Sequence, residues 1–163
     1  MTSLILPQVL RQELIEHARE DDPDEVCGML AGRGNHVQRV RRVRNMADEV
    51  DRDRGVFRDR QTDVAAPGRR AVHYYMDPLD QLRAYDDIED AGLDVVGYYH
   101  SHTHTEGRPS PTDIRLARDL GAYWILVSLQ DAQNPTVRAW HISKADPMDE
   151  TGEAIEIGIR DEI

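Results

Sequence analysis

The apolar segment from Leu93 to Tyr99 (LDVVGYY) constrains the fold most strongly, because it predicts a buried strand that runs directly into a histidine-rich segment. A helix is predicted next, from Pro111 to Leu120, and Gly121 is placed to end it. The following apolar run, Tyr123 to Leu129 (YWILVSL), predicts a second buried strand. Strands and helices that alternate in this way are typical of an α/β domain.

Two further helices fit this architecture. Pro7 begins a helical pattern that ends at Asp21-Asp22-Pro23. Asp77 as N-cap and Pro78 as the first helical residue predict another helix, with Gly92 placed to end it. The apolar face of this helix is predicted to consist of Leu79, Leu82, Tyr85 and Ile88.

Further strands are predicted from short apolar or alternating runs. These runs are Val26 to Ala31, His36 to Arg44, Ala71 to Met76, Val137 to Ile142 and Ala154 to Ile159. We therefore expect an α/β fold in which helices cover a mixed β-sheet, with antiparallel partners near the C-terminus. The polar, charged segment at about 46–70 has no periodicity and predicts a long mobile loop, whose charge and length suit a flap that orders on a protein substrate.

Length, charge and cysteine content narrow the class of protein. The chain has 163 residues, so we expect a single domain over 1–163. A net charge of −11 argues against nucleic-acid binding, which needs a basic face. The sequence shows no bilayer-spanning run and no signal-peptide pattern, and we expect a cytoplasmic protein. The single cysteine, Cys27, excludes an internal disulfide and is expected to be a small buried residue, not a nucleophile.

The histidine segment HSHTHTEGRPSPTD carries the candidate chemistry. His100 and His102 lie two apart at the end of a strand, so both imidazoles project to the same side. Asp113 follows in the first turn of the next helix, and a turn bracketed by two prolines can fold its carboxylate back onto the histidines. Two nitrogens and one oxygen leave the fourth position of a tetrahedral zinc ion to water, which distinguishes a catalytic site from a structural one.

Each part of this pattern also has a plain structural explanation. A single histidine is more often structural or exposed than a metal ligand. Ser110, followed by proline and by Asp113 three residues on, is also the pattern of a capped helix start. The conjunction of strand, His-x-His, proline-bounded turn, Ser-x-x-Asp and helix favours a metal site.

The order His100-Ser101-His102, seven residues, Ser110, two residues and Asp113 resembles the signature of the JAMM (JAB/MPN+) metalloproteases, His-Ser/Thr-His-x7-Ser-x2-Asp. The resemblance covers most of the chain and is closest to the small bacterial branch typified by CysO-cysteine peptidases. It implies a three-layer, cytidine-deaminase-like α/β fold and one Zn²⁺ ion with a catalytic water. It also implies hydrolysis of the bond after the C-terminal Gly-Gly of a ubiquitin-like sulfur carrier protein, the expected partner.

The resemblance also implies roles for single residues. Glu25, in PDEVCGMLAG, takes the place of the family's general base, although by sequence alone it would be expected on the solvated surface. Ser110 resembles the serine that donates a hydrogen bond to the tetrahedral oxyanion, and both this role and the helix cap stay open. His104 could reach the metal or the substrate, but we expect an exposed loop residue outside the ligand set.

Two other functions are compatible with parts of the pattern. A metal-free relative could serve as a catalytically inactive scaffold subunit, but such relatives typically lack ligands that are all present here. A zinc hydrolase of another small amide, such as a deaminase, would keep the metal and change the substrate. The Pro-Cys-x-x-Cys ligand pair expected of zinc deaminases is absent from the sequence.

Overall fold

A computed structural model describes residues 2–49, 69–71 and 73–162 of the chain. Its elements are β1 (Leu4–Ile5), α1 (Gln8–Asp21), β2 (Cys27–Arg33), β3 (His36–Val43), α2 (Pro78–Asp90), β4 (Asp94–His102), α3 (Pro111–Leu116), β5 (Tyr123–Ser128), β6 (Thr136–Ser143), β7 (Glu153–Ile157) and β8 (Ile159–Arg160). Two 3₁₀ turns, Ala47–Glu49 and Arg69–Ala71, lie on either side of residues 50–68. The loop predicted at about 46–70 therefore falls mostly outside the described residues. Within them, no helix is long and apolar enough to cross a membrane.

The eight strands form one mixed sheet in the order β7-β6-β5-β4-β2-β3-β1-β8. β4 and β5 run parallel and are connected through α3. β2 pairs antiparallel with both β3 and β4, and β6 and β7 continue the sheet in antiparallel fashion beyond β5. The predicted α/β fold with a mixed sheet is confirmed, and β2 and β4 become neighbours although they are far apart in the sequence.

Helices cover both faces of the sheet and enclose two apolar cores. On one face α1 packs through Leu14, Ile15 and Ala18 against a cluster that includes Leu30, Tyr99 and Ile125. On the other face α2 and α3 cover Met29, Tyr98, Trp124 and Trp140. Each large side chain buried in this way contributes about 1.5–3 kcal/mol. The result is the expected three-layer arrangement.

The ends of α2 lie where the sequence predicts them, but its buried face does not. The Asp77 side chain caps the helix by accepting from the Leu79 N–H, and Gly92 follows the helix at a φ of 71°. Ala84 and Ile88 are buried, whereas Leu79 and Leu82 are 55% and 58% exposed and Tyr85 is 37% exposed. The buried stripe thus consists of the short Ala84 and of Ile88, and the predicted face is right only at Ile88.

The strand predicted at Ala71 to Met76 is wrong. Arg69–Ala71 is a 3₁₀ turn, and among the described residues 73–76 only Met76 makes an isolated β-bridge, to Asn45. The Tyr75 N–H donates a hydrogen bond to the Asn45 side chain, and the carbonyl of residue 73 accepts one from it. Because these backbone groups bond to a side chain and not to a neighbouring strand, the β-propensity of this tyrosine-rich segment is overridden.

Two other boundaries differ from the predicted ones. α3 ends at Leu116 and not at Leu120, because the ammonium of Lys144 donates to the carbonyls of Arg115 and Ala117 and closes the last turn. The predicted strand from Ala154 to Ile159 is divided at Gly158 into β7, which pairs with β6, and β8, which pairs with β1.

Candidate metal centre

Side chains from the end of β4 and the start of α3 meet at one point. The Nε2 atoms of His100 and His102 lie 3.2 Å apart, and Oδ2 of Asp113 lies 3.1 Å from the first and 3.2 Å from the second. Donor atoms about 2.0–2.1 Å from a tetrahedral zinc ion are separated from one another by about 3.3 Å. The triangle of the two nitrogens and the oxygen, the His-His-Asp triangle, therefore fits a metal ion.

Strand geometry and two hydrogen bonds explain why the triangle forms. His100 and His102 alternate with residues 99 and 101 and so share the face of the sheet that α3 covers. Nδ1 of His102 lies 2.9 Å from the Glu106 carbonyl oxygen, which can only accept, so Nδ1 carries the proton and Nε2 presents its lone pair. Oδ2 of Asp113 also accepts from the Ser110 N–H at 2.8 Å, which orients the carboxylate.

The segment that returns the chain from β4 to α3 is anchored on β5 and β6. The Ser128 hydroxyl donates to the Thr105 carbonyl at 2.6 Å, and the indole N–H of Trp140 donates to the Gly107 carbonyl at 2.9 Å. Trp140 itself is buried beneath the guanidinium groups of Arg108 and Arg138, at 5.2 and 4.7 Å from its ring. These contacts fix the carbonyl that orients His102 and the start of the helix that carries Asp113.

The three side chains shift one another's protonation. Burial lowers the pKa of His100, whereas at His102 the hydrogen bond and charge of Asp113 outweigh burial and raise the pKa. Burial opposes ionisation of Asp113, yet the two imidazoles hold its pKa well below its usual range. The site thus keeps an ionised carboxylate between two imidazoles, which is the charge pattern that attracts a cation.

Glu25 lies beside the triangle. It precedes β2, and the β2 residue Cys27 pairs directly with His100 of β4. One carboxylate oxygen of Glu25 lies within 4.8 Å of a ring nitrogen of each histidine, and the residue is 7% exposed. Burial raises the pKa of Glu25 to about 8, although the nearby His102 acts in the opposite direction. A cation bound at the triangle would lower this pKa.

Ser110 begins α3 in a reciprocal capping box. Its Oγ accepts from the Asp113 N–H at 3.1 Å while its own N–H donates to the Asp113 carboxylate. This cap uses an oxygen lone pair and leaves the hydroxyl proton available for donation. The two roles that the sequence leaves open are therefore compatible with each other.

His104 and Cys27 lie outside this arrangement in different ways. His104 is exposed in the bends that follow β4. Cys27 is buried, its thiol donates to the Val43 carbonyl at 3.4 Å, and burial raises its pKa well above the usual range. A thiol that does not ionise is a packing group and not a nucleophile.

Sequence reasoning alone assigned no role to three residues around the site. The Tyr74 ring stacks on His100, with ring centroids 4.2 Å apart. The Ser101 hydroxyl, turned away from the triangle, accepts from the Val26 N–H at 2.8 Å and ties β4 to the start of β2. Asn45 binds the backbone of Glu25. All three depend on contacts between distant segments, which local patterns do not show, although Ser101 stands at the Ser/Thr position of the signature that the chain resembles.

An open cavity of about 730 Å³ lies beside α2, and its lining includes Tyr74. Tyr74 stacks on His100, and Pro78, Gln81 and Tyr85 line the cavity from α2. Other lining residues are Tyr75, Met76, Tyr98, Leu116, Arg118, Asp119 and Trp124. Leu82 lies one helical turn from both Pro78 and Tyr85, so its exposed side chain extends this aromatic groove over the outer side of α2.

Comparisons with known proteins find related sequences over most of the chain. The model of the family described as prokaryotic homologs of the JAB domain matches residues 7–143. The chain is 33% identical over 139 residues to a CysO-cysteine peptidase of Mycobacterium tuberculosis, an alignment that covers 85% of this chain and 82% of that protein. It is 36% identical over 134 residues to a desampylase of Haloferax volcanii, covering 78% of this chain and 84% of the relative.

A solved structure shares the fold. A JAB1/MPN domain protein from Archaeoglobus fulgidus superposes with a TM-score of 0.52 over 98% of this chain and 100% of that one, at 18% identity. This likeness bears on the fold alone, and it confirms the MPN-type fold expected from the sequence.

Proposed function

The chain belongs to the prokaryotic JAB domain family, and from that premise we propose a zinc metallopeptidase that cleaves the bond after the C-terminal Gly-Gly of a ubiquitin-like sulfur carrier. Its family and named relatives make it a hydrolase of peptide or isopeptide bonds. The observation that carries the proposal is the His-His-Asp triangle with the Glu25 carboxylate beside it.

The donor set of the triangle suits zinc. Two neutral imidazoles and one carboxylate leave one coordination position open, as catalytic zinc sites do. When bound there, zinc would lower the pKa of a coordinated water and polarise the substrate carbonyl. The buried, hydrogen-bonded surroundings of His102 and Asp113 would hold these ligands in place before the metal arrives.

Glu25 would carry the proton of the reaction. In this proposal its carboxylate accepts a proton from the attacking water and passes it to the leaving amine. Its position supports the role, because a buried carboxylate close to both histidines is excluded from bulk water and yet lies within reach of a single bridging molecule.

Ser110 would stabilise the oxyanion. The hydroxyl proton left free by the capping box would donate to the substrate oxygen as negative charge develops on it. Replacing Ser110 by alanine should reduce kcat by about 100-fold, a cost typical of losing one such donor. It should also lower the free energy of unfolding by about 1 kcal/mol, since the N-cap is lost.

Replacement of Ser110 by threonine provides the control. Threonine keeps a hydroxyl and caps helices, so it should recover most of both losses. Steady-state kinetics and urea unfolding of the two variants measure the effects separately. A Ser110→Ala enzyme that is less stable but turns over normally would assign the residue to the cap alone.

The exposed stripe on α2 supports a protein substrate. Leu79, Leu82 and Tyr85 are apolar and exposed on α2, beside the groove whose lining includes Tyr74, the ring that stacks on His100. Contiguous apolar surface of this kind marks binding sites. The names of two relatives, the CysO-cysteine peptidase and the probable TtuB-protein conjugate cleaving protease, support a substrate of the protein-conjugate kind. In this proposal the carrier docks on the stripe and extends its C-terminal tail along the groove.

Substitution of Leu82 by aspartate should separate docking from chemistry. We expect kcat/KM for a folded carrier conjugate to fall about 10-fold, the effect of losing a contact worth about 1.4 kcal/mol. Hydrolysis of a short peptide that ends in the same Gly-Gly linkage should change little. Val9→Asp on α1, where the valine is 72% exposed, is the matched control and should leave both rates unchanged. Equal losses on both substrates would contradict docking at α2.

The released group can be identified directly. Carrier adducts that differ only in the group after Gly-Gly, one ending in cysteine and one in a lysine isopeptide, would be incubated with the enzyme and weighed by mass spectrometry. We expect the cysteine adduct to be converted to free carrier, and a chelator to prevent the conversion. Release from the lysine adduct alone would point to an isopeptidase. Release from neither would contradict the proposal.

A further inference from the structure

We infer that Asn45 is a positioning residue that holds Glu25 in place through the peptide backbone. The inference rests on the proposed role of Glu25. Asn45 follows β3, and its side-chain amide makes four hydrogen bonds to backbone groups of three separate segments. None of these bonds is to a side chain, so the amide is placed to fix the path of the chain.

Every donor and acceptor of the Asn45 amide is used. Nδ2 donates to the Glu25 carbonyl at 2.8 Å and to the His73 carbonyl at 3.2 Å. Oδ1 accepts from the N–H groups of Ala47 and Tyr75, both at 3.0 Å. An amide has two N–H donors and an oxygen with two lone pairs, so the site is matched to asparagine and to no other side chain of its length.

Glu25 needs such support because of where it lies. The ladder between β2 and β4 begins at Cys27, and Glu25 lies before it. Both backbone groups of Glu25 are instead held from outside the strand: its N–H donates to the Arg70 carbonyl at 2.6 Å, and its carbonyl accepts from Asn45. Asp48 holds Arg70 in turn, accepting from its backbone N–H at 2.8 Å and from Nε at 2.9 Å.

The same amide also reaches the other side of the metal centre. Its bonds to His73 and Tyr75 bracket Tyr74, whose ring stacks on His100. One side chain thus fixes the backbone of the proposed proton carrier and the backbone of the ring that packs behind a proposed ligand. Proton transfer depends on sub-ångström placement, and a 1 Å displacement can cost about 100-fold in rate.

A purely structural role for Asn45 is the alternative, and Asn35 provides the comparison. The Asn35 amide also donates to a backbone carbonyl, that of Ser3, at 2.7 Å, but it lies in the turn between β2 and β3, at the opposite end of these strands from Glu25. Replacing Asn35 by alanine should lower stability and leave kcat within about twofold of normal. Replacing Asn45 by alanine should reduce kcat by about 10- to 100-fold while KM changes by less than about threefold and zinc stays bound.

The decisive measurement combines Asn45→Ala with Glu25→Gln. If Asn45 acts through Glu25, the double variant should be no more than about twofold slower than Glu25→Gln alone, because the side chain being positioned is already disabled. If the loss of kcat in the double variant equals the product of the two single losses, the inference is overturned. A normal kcat for Asn45→Ala would also overturn it. A Glu25→Gln enzyme with near-normal turnover would instead refute the proposed role of Glu25, so the two failures are distinguishable.

Asn45→Asp keeps the test valid if the alanine variant does not fold. Aspartate retains the one oxygen that accepts from both Ala47 and Tyr75, but it cannot donate to the Glu25 carbonyl. We expect a folded, zinc-binding protein whose kcat is reduced at least 10-fold. Normal turnover by this variant would overturn the inference.

Discussion

Replacing Glu25 by glutamine is expected to reduce kcat by at least about 1,000-fold, within the range attributed to general acid–base catalysis. Glutamine has the size of glutamate and can hydrogen-bond to water, but it cannot accept and release a proton at neutral pH. The zinc content should stay at one ion per chain, because the proposed ligands are His100, His102 and Asp113. Turnover of a carrier conjugate and elemental analysis of the same preparation measure the two quantities.

The matched control for this prediction is Glu20→Gln. Glu20 is an exposed carboxylate on α1 that pairs with Arg42 at 2.6 Å, and exposed pairs of this kind contribute little to stability. We expect its removal to leave both kcat and zinc unchanged. Turnover by the Glu25→Gln enzyme within about tenfold of normal would mean that another group carries the proton.

Replacing His102 by alanine should abolish zinc binding and activity together. The loss in affinity should exceed the roughly 10- to 100-fold cost of removing a group that only hydrogen-bonds to a ligand. The substitution removes one corner of the triangle and leaves the Asp113 carboxylate with a single imidazole at 3.1 Å. Asp113→Asn tests the third corner with little change of shape. Zinc per chain is measured after dialysis against a weak chelator.

His104→Ala is the control for this second prediction. His104 lies only two residues from His102, but it is exposed and we propose no ligand role for it. The variant should retain one zinc ion and normal turnover. Full zinc in His102→Ala, or zinc loss in His104→Ala, would show that the ligand set is wrong.

Local patterns predicted those parts of the fold and site that depend on neighbouring residues. The spacing of His100 and His102 is enough to place both rings on one side of β4, and Asp77, Pro78 and Gly92 are enough to delimit α2. The sequence could not reveal which stripe of α2 is buried. Its periodicity allows adjacent stripes, and packing beneath the helix selected the one with the small Ala84 side chain.

Contacts between distant segments explain what local patterns missed. Glu25 is acidic and would be expected at the surface, yet it is buried because β2 lies next to β4 in the sheet. Only the family resemblance indicated its place. The side chain of Asn45 competes with strand pairing, which is why the described residues 73–76 before α2 form no strand. Neither contact leaves a periodic pattern in the sequence from which it could be predicted.

The central claim is that hydrolysis depends on a single zinc ion held by the His-His-Asp triangle. Its most direct test is to strip the protein of metal and add zinc in steps, following cleavage of a Gly-Gly carrier conjugate by mass spectrometry. We predict that activity is absent at the start, rises in proportion to bound zinc and stops rising at one ion per chain. Full activity in the metal-free protein, or no activity at one bound zinc ion per chain, would contradict the claim.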